Sequence, residues 1–478
     1  MLFEAIFFTI PMLTAIIYWE KAFFSFLFTA LLCGLLGGIF LIGKPKSYAI
    51  YAKEGFVIVA LCWIVLSVFG ALPFVLSGSI PSYIDALFET VSGFSTTGAT
   101  IIPTGDQVAA LPKSILTWRS FTHWIGGMGV LVFIMAFLPL SGGNLHIMKA
   151  ESPGPIVGKL VPKMRATALI LYAIYAALTV VQFILLVCGG MPVFDAVNTA
   201  FATAGTGGFT VRADGFNGYS PYLQIVVTVF MLVFSINFNS YFMMIKGRWK
   251  EVLTTEVKAF CIIVLSAITL ITVNLCLTDT IASFGNALRH AAFTVASIIS
   301  TTGFVTENFD TWPTLSMGII VLLMFVGACA GSTGGGIKIS RVLVLGKSAS
   351  NEVGKMLRPK QVKHVTMDGR VIGEDVVRSV HGYIVAYALI FIISFLLISL
   401  DLGTLDYSAT TNLQLVTGFT SVATTLNNTG PGLGAVGPIG SFAGYSWWAK
   451  LVFIFNMLAG RLELFPMLLL FAPSTWRK

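Results

Sequence analysis

Four short turns in this sequence carry the residue types that bind a dehydrated cation. They are Thr96-Thr97-Gly98-Ala99, Thr206-Gly207-Gly208-Phe209, Thr301-Thr302-Gly303-Phe304 and Asn428-Thr429-Gly430-Pro431. Each offers a polar residue, one intervening residue, then glycine. Glycine tolerates positive φ, so successive carbonyls can face the same way. Rings of backbone carbonyls replace an ion's hydration shell in cation filters. The hydroxyls of Thr96, Thr206 and Thr301 are expected to add oxygen ligands below the carbonyls. None of the turns contains an acidic side chain, which argues against a calcium or other divalent site built on carboxylates. The fourth turn opens on Asn428 where the others have Thr, so its ligand geometry is expected to differ.

The elements that position these turns recur with them. Asp85 to Gly98 aligns without a gap on His290 to Gly303, with Phe88 on Phe293 and Ser92 on Ser297. Asp195 to Gly208 is a third copy, and Thr417 to Gly430 a degenerate fourth. Each copy lies between two apolar runs. The stretches before the glycines, roughly 10–12 residues long, are too short to span a bilayer and read as re-entrant half-helices. Non-helical backbone at membrane depth must be buried in protein or line water. Four turns meeting on one axis satisfy that rule, and each half-helix aims the negative end of its dipole at the centre. A single Gly/Thr cluster would be read as a helix-packing surface; four in register favour a pore.

Composition agrees. The chain has 478 residues, 56% hydrophobic and 10% charged, with a mean hydropathy of +0.88. Soluble domains carry about 25% charge, so lipid is the main solvent here. The apolar runs are 2–18, 22–42, 56–76, 118–140, 166–187, 222–245, 259–277, 316–330, 383–400 and 448–470. The first two form a helical hairpin and not a cleaved leader, because no basic segment precedes the first. Inner segments hold 22 of the 29 Lys and Arg, which puts both termini in the cytoplasm. The basic residues flank spans instead of forming one stripe, so no nucleic-acid partner is expected. The six cysteines show no CxxC spacing, and the five histidines are scattered, so no metal cluster or enzyme constellation is expected.

The fold class expected is an all-α integral membrane protein: an N-terminal helical hairpin plus four helix–pore-loop–helix repeats around a pseudo-fourfold pore. The boundaries are 1–43 for the hairpin, 44–145, 146–250 and 251–350 for the first three repeats, and 351–478 for a basic cytoplasmic loop and the fourth repeat.

The four turns, the segment Gly327-Ala-Cys-Ala-Gly-Ser-Thr-Gly-Gly-Gly-Ile-Lys338, the run Asn456-Met-Leu-Ala-Gly-Arg461 and the leading hairpin together resemble the TrkH/KtrB/HKT superfamily of potassium transport proteins, nearest its TrkH branch. The resemblance covers essentially the whole chain. In that superfamily glycine in all four filter turns goes with potassium and serine in the first goes with sodium. Gly98, Gly208, Gly303 and Gly430 therefore imply potassium. The resemblance also implies a homodimer in a bacterial inner membrane and a cytosolic nucleotide-binding regulatory subunit resembling TrkA. The chain has no dinucleotide or P-loop motif, so nucleotide control would come from that partner. A potassium symporter coupled to protons or sodium is the alternative, although the parallel repeats do not match the inverted repeats of such transporters.

Two features below the filter read as a gate. Gly327, Gly331, Ser332, Thr333, Gly334, Gly335 and Gly336 interrupt the second span of the third repeat, where each glycine weakens a helix by about 1 kcal/mol. A flexible loop is expected there. Arg461 lies inside the last span, where an ionisable residue is functional by default. It enters the pore beneath the filter, pairs with Glu463 or snorkels to the inner face. Lys338 is expected to be an interfacial anchor. Asp85, Glu89, Asp106, Asp195, Asp214, Glu307 and Asp310 are expected near the outer mouth, mostly as solvated caps, with Asp85 and Asp195 capping half-helices. The loop 338–378 is expected to be a solvated or lipid-facing basic surface.

Overall fold

The computed structural model describes residues 1–42, 52–129, 164–358, 363–401 and 411–476. Among these, five helices are long and apolar enough to cross a membrane: Phe23–Ile42, Lys53–Leu76, Thr167–Cys188, Thr255–Leu277 and Glu374–Ser399. Their outward faces are bare leucine, isoleucine and valine. Val385, Leu389, Ile392 and Leu396 form one such face at helical spacing. Water would make that surface aggregate, whereas lipid covers it.

The N-terminal hairpin is present. Helices Leu2–Phe7 and Thr9–Ile17 run almost continuously into a tight reversal, with Trp19 at φ 56°, and Phe23–Ile42 returns. Glu20 in the reversal accepts from Lys113 N (2.6 Å), Ser114 N (2.9 Å) and Ser114 Oγ (2.5 Å), so it caps the helix Lys113–Gly127 from outside.

Four repeats follow. The first helices are Ala52–Gly70, Met164–Cys188, Thr255–Leu277 and Glu374–Ser399. The pore helices are Tyr83–Phe94, Val193–Gly205, Phe284–Ile299 and Thr411–Asn427. The last two are longer than the motif spacing suggests, because their first turns rise into the outer loops. Ser82 caps the first pore helix, accepting from Asp85 N; Asp85 lies in the first turn and pairs with Lys450 at 2.6 Å. Asp195 also lies in a first turn and accepts from Tyr219 Oη at 2.8 Å. Neither carboxylate is the cap itself.

The second helices depart most from the sequence reading. They are Lys113–Gly127, Pro221–Phe234, Thr314–Phe325 and Trp447–Arg461, and all four stop short of their apolar runs. The run 222–245 bends by 92° before Phe238–Ile245. The run 448–470 is interrupted where Glu463 and Leu464 take φ 63° and 66°, ahead of Phe465–Phe471. The third stops at Phe325, before the glycine segment. The inner end of the run 118–140 and the segment 141–165 fall largely outside the described residues. Hydropathy cannot register a bend that keeps apolar residues on both sides, so only the glycine-marked break was visible.

The described parts of 338–378 carry secondary structure of their own. The helix Ile339–Leu357 packs on a two-stranded hairpin, Thr366–Met367 with Arg370–Val371, around Val344, Val365, Met367, Ile372 and Val380.

Candidate functional site

Each pore helix ends in the same backbone figure. The residue two before the filter glycine turns left-handed: Thr96 at φ 57°, Thr206 at 55°, Thr301 at 59° and Asn428 at 56°. The next amide then reaches back five residues: Thr97 N to Ser92 O, Gly207 N to Ala202 O, Thr302 N to Ser297 O and Thr429 N to Thr424 O, each 2.9 Å. The glycines follow at φ 77°, 80°, 85° and 92° for Gly98, Gly208, Gly303 and Gly430. Two left-handed residues two apart turn the chain sharply away from the helix axis.

The four turns close into a ring. A Cβ on Gly98 would lie 1.9 Å from Gly207 O, and on Gly208 1.9 Å from Thr302 O. On Gly303 it would lie 2.6 Å from Thr429 O, and on Gly430 2.7 Å from Thr97 O. Each glycine thus faces the middle carbonyl of the next turn, in the order one, two, three, four, one. Glycine is needed both for its φ and for this approach.

A second ring of bonds locks the level above. Arg119 Nη1 donates to Thr210 O at 3.4 Å, joining repeats one and two. Phe216 N donates to Val305 O at 3.0 Å, joining two and three. Gly434 N donates to Asp310 Oδ1 at 3.3 Å, joining three and four. Phe442 N donates to Thr100 O at 2.8 Å, joining four and one. Within this collar a vestibule of about 150 Å³ opens outward, with all four filter glycines on its wall.

Three residues, Glu89, Arg119 and His123, brace the first two turns. Glu89, expected to be solvated, is buried. It pairs with Arg119 at 2.7 Å and accepts from Thr100 Oγ1 (3.0 Å) and Ile101 N (3.0 Å). The Arg119 guanidinium stacks 4.0 Å from the Phe209 ring centroid. His123 lies 2.7 Å from Gly93 O through Nδ1 and receives Phe209 N at Nε2 (3.3 Å), so it spans pore helix one and turn two. Ala99, Phe209 and Phe304 are buried and support their turns by packing; Pro431 follows Gly430 on the vestibule wall.

Beneath the ring runs the glycine segment. It is a buried strap with bonded backbone, not a loose loop. Gly327 N donates to Ile337 O (2.9 Å) and Ile339 N to Ala328 O (3.4 Å), closing its two legs. Cys329 N reaches Ser235 O and Phe238 N reaches Gly331 O, each at 3.0 Å, so the bend in repeat two receives the strap. Its tip touches the filter. Thr206 Oγ1 donates to Thr333 O at 3.0 Å, and Gly335 N donates to Thr301 Oγ1 at 2.6 Å. A Cβ on Gly335 would lie 2.6 Å from Asn427 O, beside turn four. Gly334 would press on Ser300 O, and Gly336 on Gly327. Ser332 is tied to Cys329 O.

The hydroxyls of Thr206 and Thr301 are therefore engaged with the strap. Thr96 Oγ1 is buried with no partner among the described residues. β-Branched residues seldom take positive φ, so these threonines are strained, and at Thr206 and Thr301 the hydroxyl bonds to the strap offset part of that cost. Asn428 behaves as the odd quadrant: its Nδ2 donates to Thr97 Oγ1 and to Met457 O, both at 2.9 Å.

Two cations lie at this level. Arg461 donates from Nη1 to Thr333 O (2.7 Å) and from Nη2 to Gly126 O (2.5 Å) and Gly127 O (2.6 Å). It ties the strap and the end of the first repeat's second helix to the fourth repeat. The pairing of Arg461 with Glu463 is not found; Glu463 pairs with Arg341, which stacks on Tyr383 at 3.9 Å. The expectation for Lys338 also fails. It is 1% exposed and donates to Gly334 O and Gly335 O, because the strap carries its stem back under the filter.

Comparison with known proteins agrees with this geometry. Residues 21–478 match the profile of the TrkH family, described as a cation transport protein. The chain is 37% identical over 482 residues to the Trk system potassium uptake protein TrkH of Salmonella typhimurium, covering 98% of this chain and 95% of that one. It is 32% identical to the Trk system potassium uptake protein TrkG of Escherichia coli, covering 98% and 94%. The crystal structure of the potassium transporter TrkH from Vibrio parahaemolyticus superposes with a TM-score of 0.86 at 32% identity, covering 99% of this chain and 96% of that one. A family match over nearly the whole chain and a solved relative of the same fold thus agree, and the chain belongs to the TrkH family of cation transport proteins.

Proposed function

We propose that the chain is the pore-forming subunit of a Trk-type potassium uptake system in a bacterial cell membrane. Potassium passes through the ring in a channel-like manner. The ligands are carbonyl oxygens of Thr96 to Ala99, Thr206 to Phe209, Thr301 to Phe304 and Asn428 to Pro431, with the Thr96 hydroxyl below them. The observation that carries this reading is the closed ring, in which each filter glycine meets the next turn's carbonyl. The names of the curated relatives, potassium uptake proteins, support the choice of ion.

The strap Gly327–Gly336 and Arg461 form the gate. The strap lies across the exit of the ring, and Arg461 adds positive charge on the ion's path. A cytosolic nucleotide-binding subunit resembling TrkA docks on the inner face and moves the strap, and two copies of the chain pair, each with its own pore. The test is ion flux and reversal potential in liposomes holding the purified chain, with potassium, rubidium and sodium, with and without the nucleotide-binding subunit. Potassium and rubidium currents that reverse at their own equilibrium potentials are expected. A reversal potential that follows the proton or sodium gradient would make the protein a coupled symporter instead.

A further inference from the structure

The helix Thr255–Leu277 starts at the cytosolic side of the third repeat. Its second residue, Glu256, is buried, and a single oxygen, Oε1, accepts from two backbone amides. Ala330 N lies at 2.8 Å and Ser340 N at 3.0 Å. The first amide is on the descending leg of the strap, the second where the other leg becomes the helix Ile339–Leu357. One carboxylate oxygen therefore joins both legs at their base, while the tip at Gly334 and Gly335 rests on the filter. Removing the acceptor leaves two buried amides without it.

The neighbouring residue faces the cytosol. Thr255 N and Thr255 Oγ1 both donate to Asp368 Oδ1, at 2.6 and 2.7 Å. Asp368 sits at φ 50° in the turn of the hairpin Thr366–Val371. That hairpin packs on Ile339–Leu357, and Lys347 Nζ adds a bond to Thr366 O at 2.7 Å. Hairpin, helix and strap leg form a closed linkage that returns to the same helix start. Adjacent residues of one helix hold the hairpin on one side and the strap on the other.

We propose that Glu256 is the positioning residue of the strap. It fixes the base of both legs so that the tip swings about this point, and the hairpin Thr366–Val371 is the cytosolic handle that turns it. This rests on the pore reading above and deepens it by placing its regulation. The electrostatic charge of Glu256 is secondary to its acceptor oxygen.

The test uses the full chain in liposomes. Glu256→Ala is expected to raise basal potassium flux about tenfold without altering the potassium-to-sodium ratio, since no filter bond is touched. Glu256→Gln keeps an acceptor oxygen in place and stays within about twofold of the unaltered chain. Ser340→Pro removes one of the two amides at the second position of a helix, where proline is tolerated, and gives an intermediate leak. Asp368→Ala keeps basal flux and loses most of the response to the nucleotide-binding subunit.

Folded Glu256→Ala protein with unaltered flux overturns the proposal, as does a glutamine variant that leaks as much as alanine. Should the alanine variant not fold, unaltered flux in folded Ser340→Pro decides against it. A full response in Asp368→Ala overturns the handle. An unaltered chain that carries no potassium sinks the pore reading itself, and that control is read before any variant.

Discussion

The filter ring and the layer beneath it solve opposite problems. In the ring, four turns repeat one figure: the same left-handed residue, the same 2.9 Å bond and the same facing glycine. In the gate layer nothing repeats. Repeat three supplies the strap, repeat four Arg461, repeat two the bend that receives the strap, and repeat one the carbonyls of Gly126 and Gly127. On the proposed reading, selecting an ion needs equivalent ligands on all sides, whereas blocking it needs one obstacle. Symmetry is kept in the ring and abandoned beneath it. Among the described residues, two hydroxyls, of Thr206 and Thr301, bond the strap to the ring.

The strongest way to break the ring is to add one carbon to it. Gly208→Ala or Gly98→Ala places a Cβ 1.9 Å from a carbonyl oxygen, in addition to about 1–2 kcal/mol for the left-handed backbone. Potassium flux should fall to background. Gly303→Ala and Gly430→Ala, at 2.6 and 2.7 Å, should retain measurable flux with reduced preference for potassium over sodium. Equal losses at all four positions, by reversal potential, would show that the ring is less uneven than these distances state.

Next in size is the brace. Arg119→Ala leaves Glu89 charged and buried, which costs about 3–5 kcal/mol. A clear fall in the melting temperature of the purified protein should result. Glu89→Gln combined with Arg119→Met should recover much of it, since it is the stranded charge that destabilises.

In the gate layer, Arg461→Ala leaves Thr333 O with the Thr206 hydroxyl as its donor and removes a cation. A positive charge that opposes the ion by about 1.4 kcal/mol accounts for a factor of ten, so flux should rise roughly tenfold. Unchanged flux per folded molecule would mean that Arg461 holds the layer together without obstructing it. The smallest effect concerns the outer collar. Burial pushes the Asp310 carboxyl up from 3.8 to about 6. Its neutral form is the one favoured by the fold, so this stabilisation is complete below about pH 4 and lost as pH rises through about 6. Above that pH the vestibule gains a negative charge, and potassium flux at low salt should rise about twofold between about pH 5 and 7. Asp310→Asn should flatten the profile.

The contrast also explains what the sequence could reveal. The ring was legible because its signals are local: Thr or Asn, one residue, glycine, after a short half-helix between apolar runs. The hairpin and the glycine break were legible for the same reason. The brace was not, because Glu89, Arg119 and Phe209 come from three separate elements that only folding brings together. Lys338 looked interfacial because position along a span measures depth and says nothing about a strap that doubles back. The bends at Ser235–Asn237 and Leu462–Leu464 lack glycine, and their freed backbone groups are satisfied by the strap and by local caps, which pattern cannot anticipate. The threonine hydroxyls were assigned to the ion because the strap that takes two of them lies far away in sequence.

One consequence of the ring concerns dosage. In a filter assembled from four identical subunits, any substitution enters four times. Here each quadrant is encoded separately, so a lesion can be introduced once, twice or three times in chosen order around the circle. Since each glycine rests against the following turn, neighbouring lesions and opposite lesions are different perturbations. The single polypeptide thus offers a countable scale on which ion discrimination can be dismantled one quarter at a time.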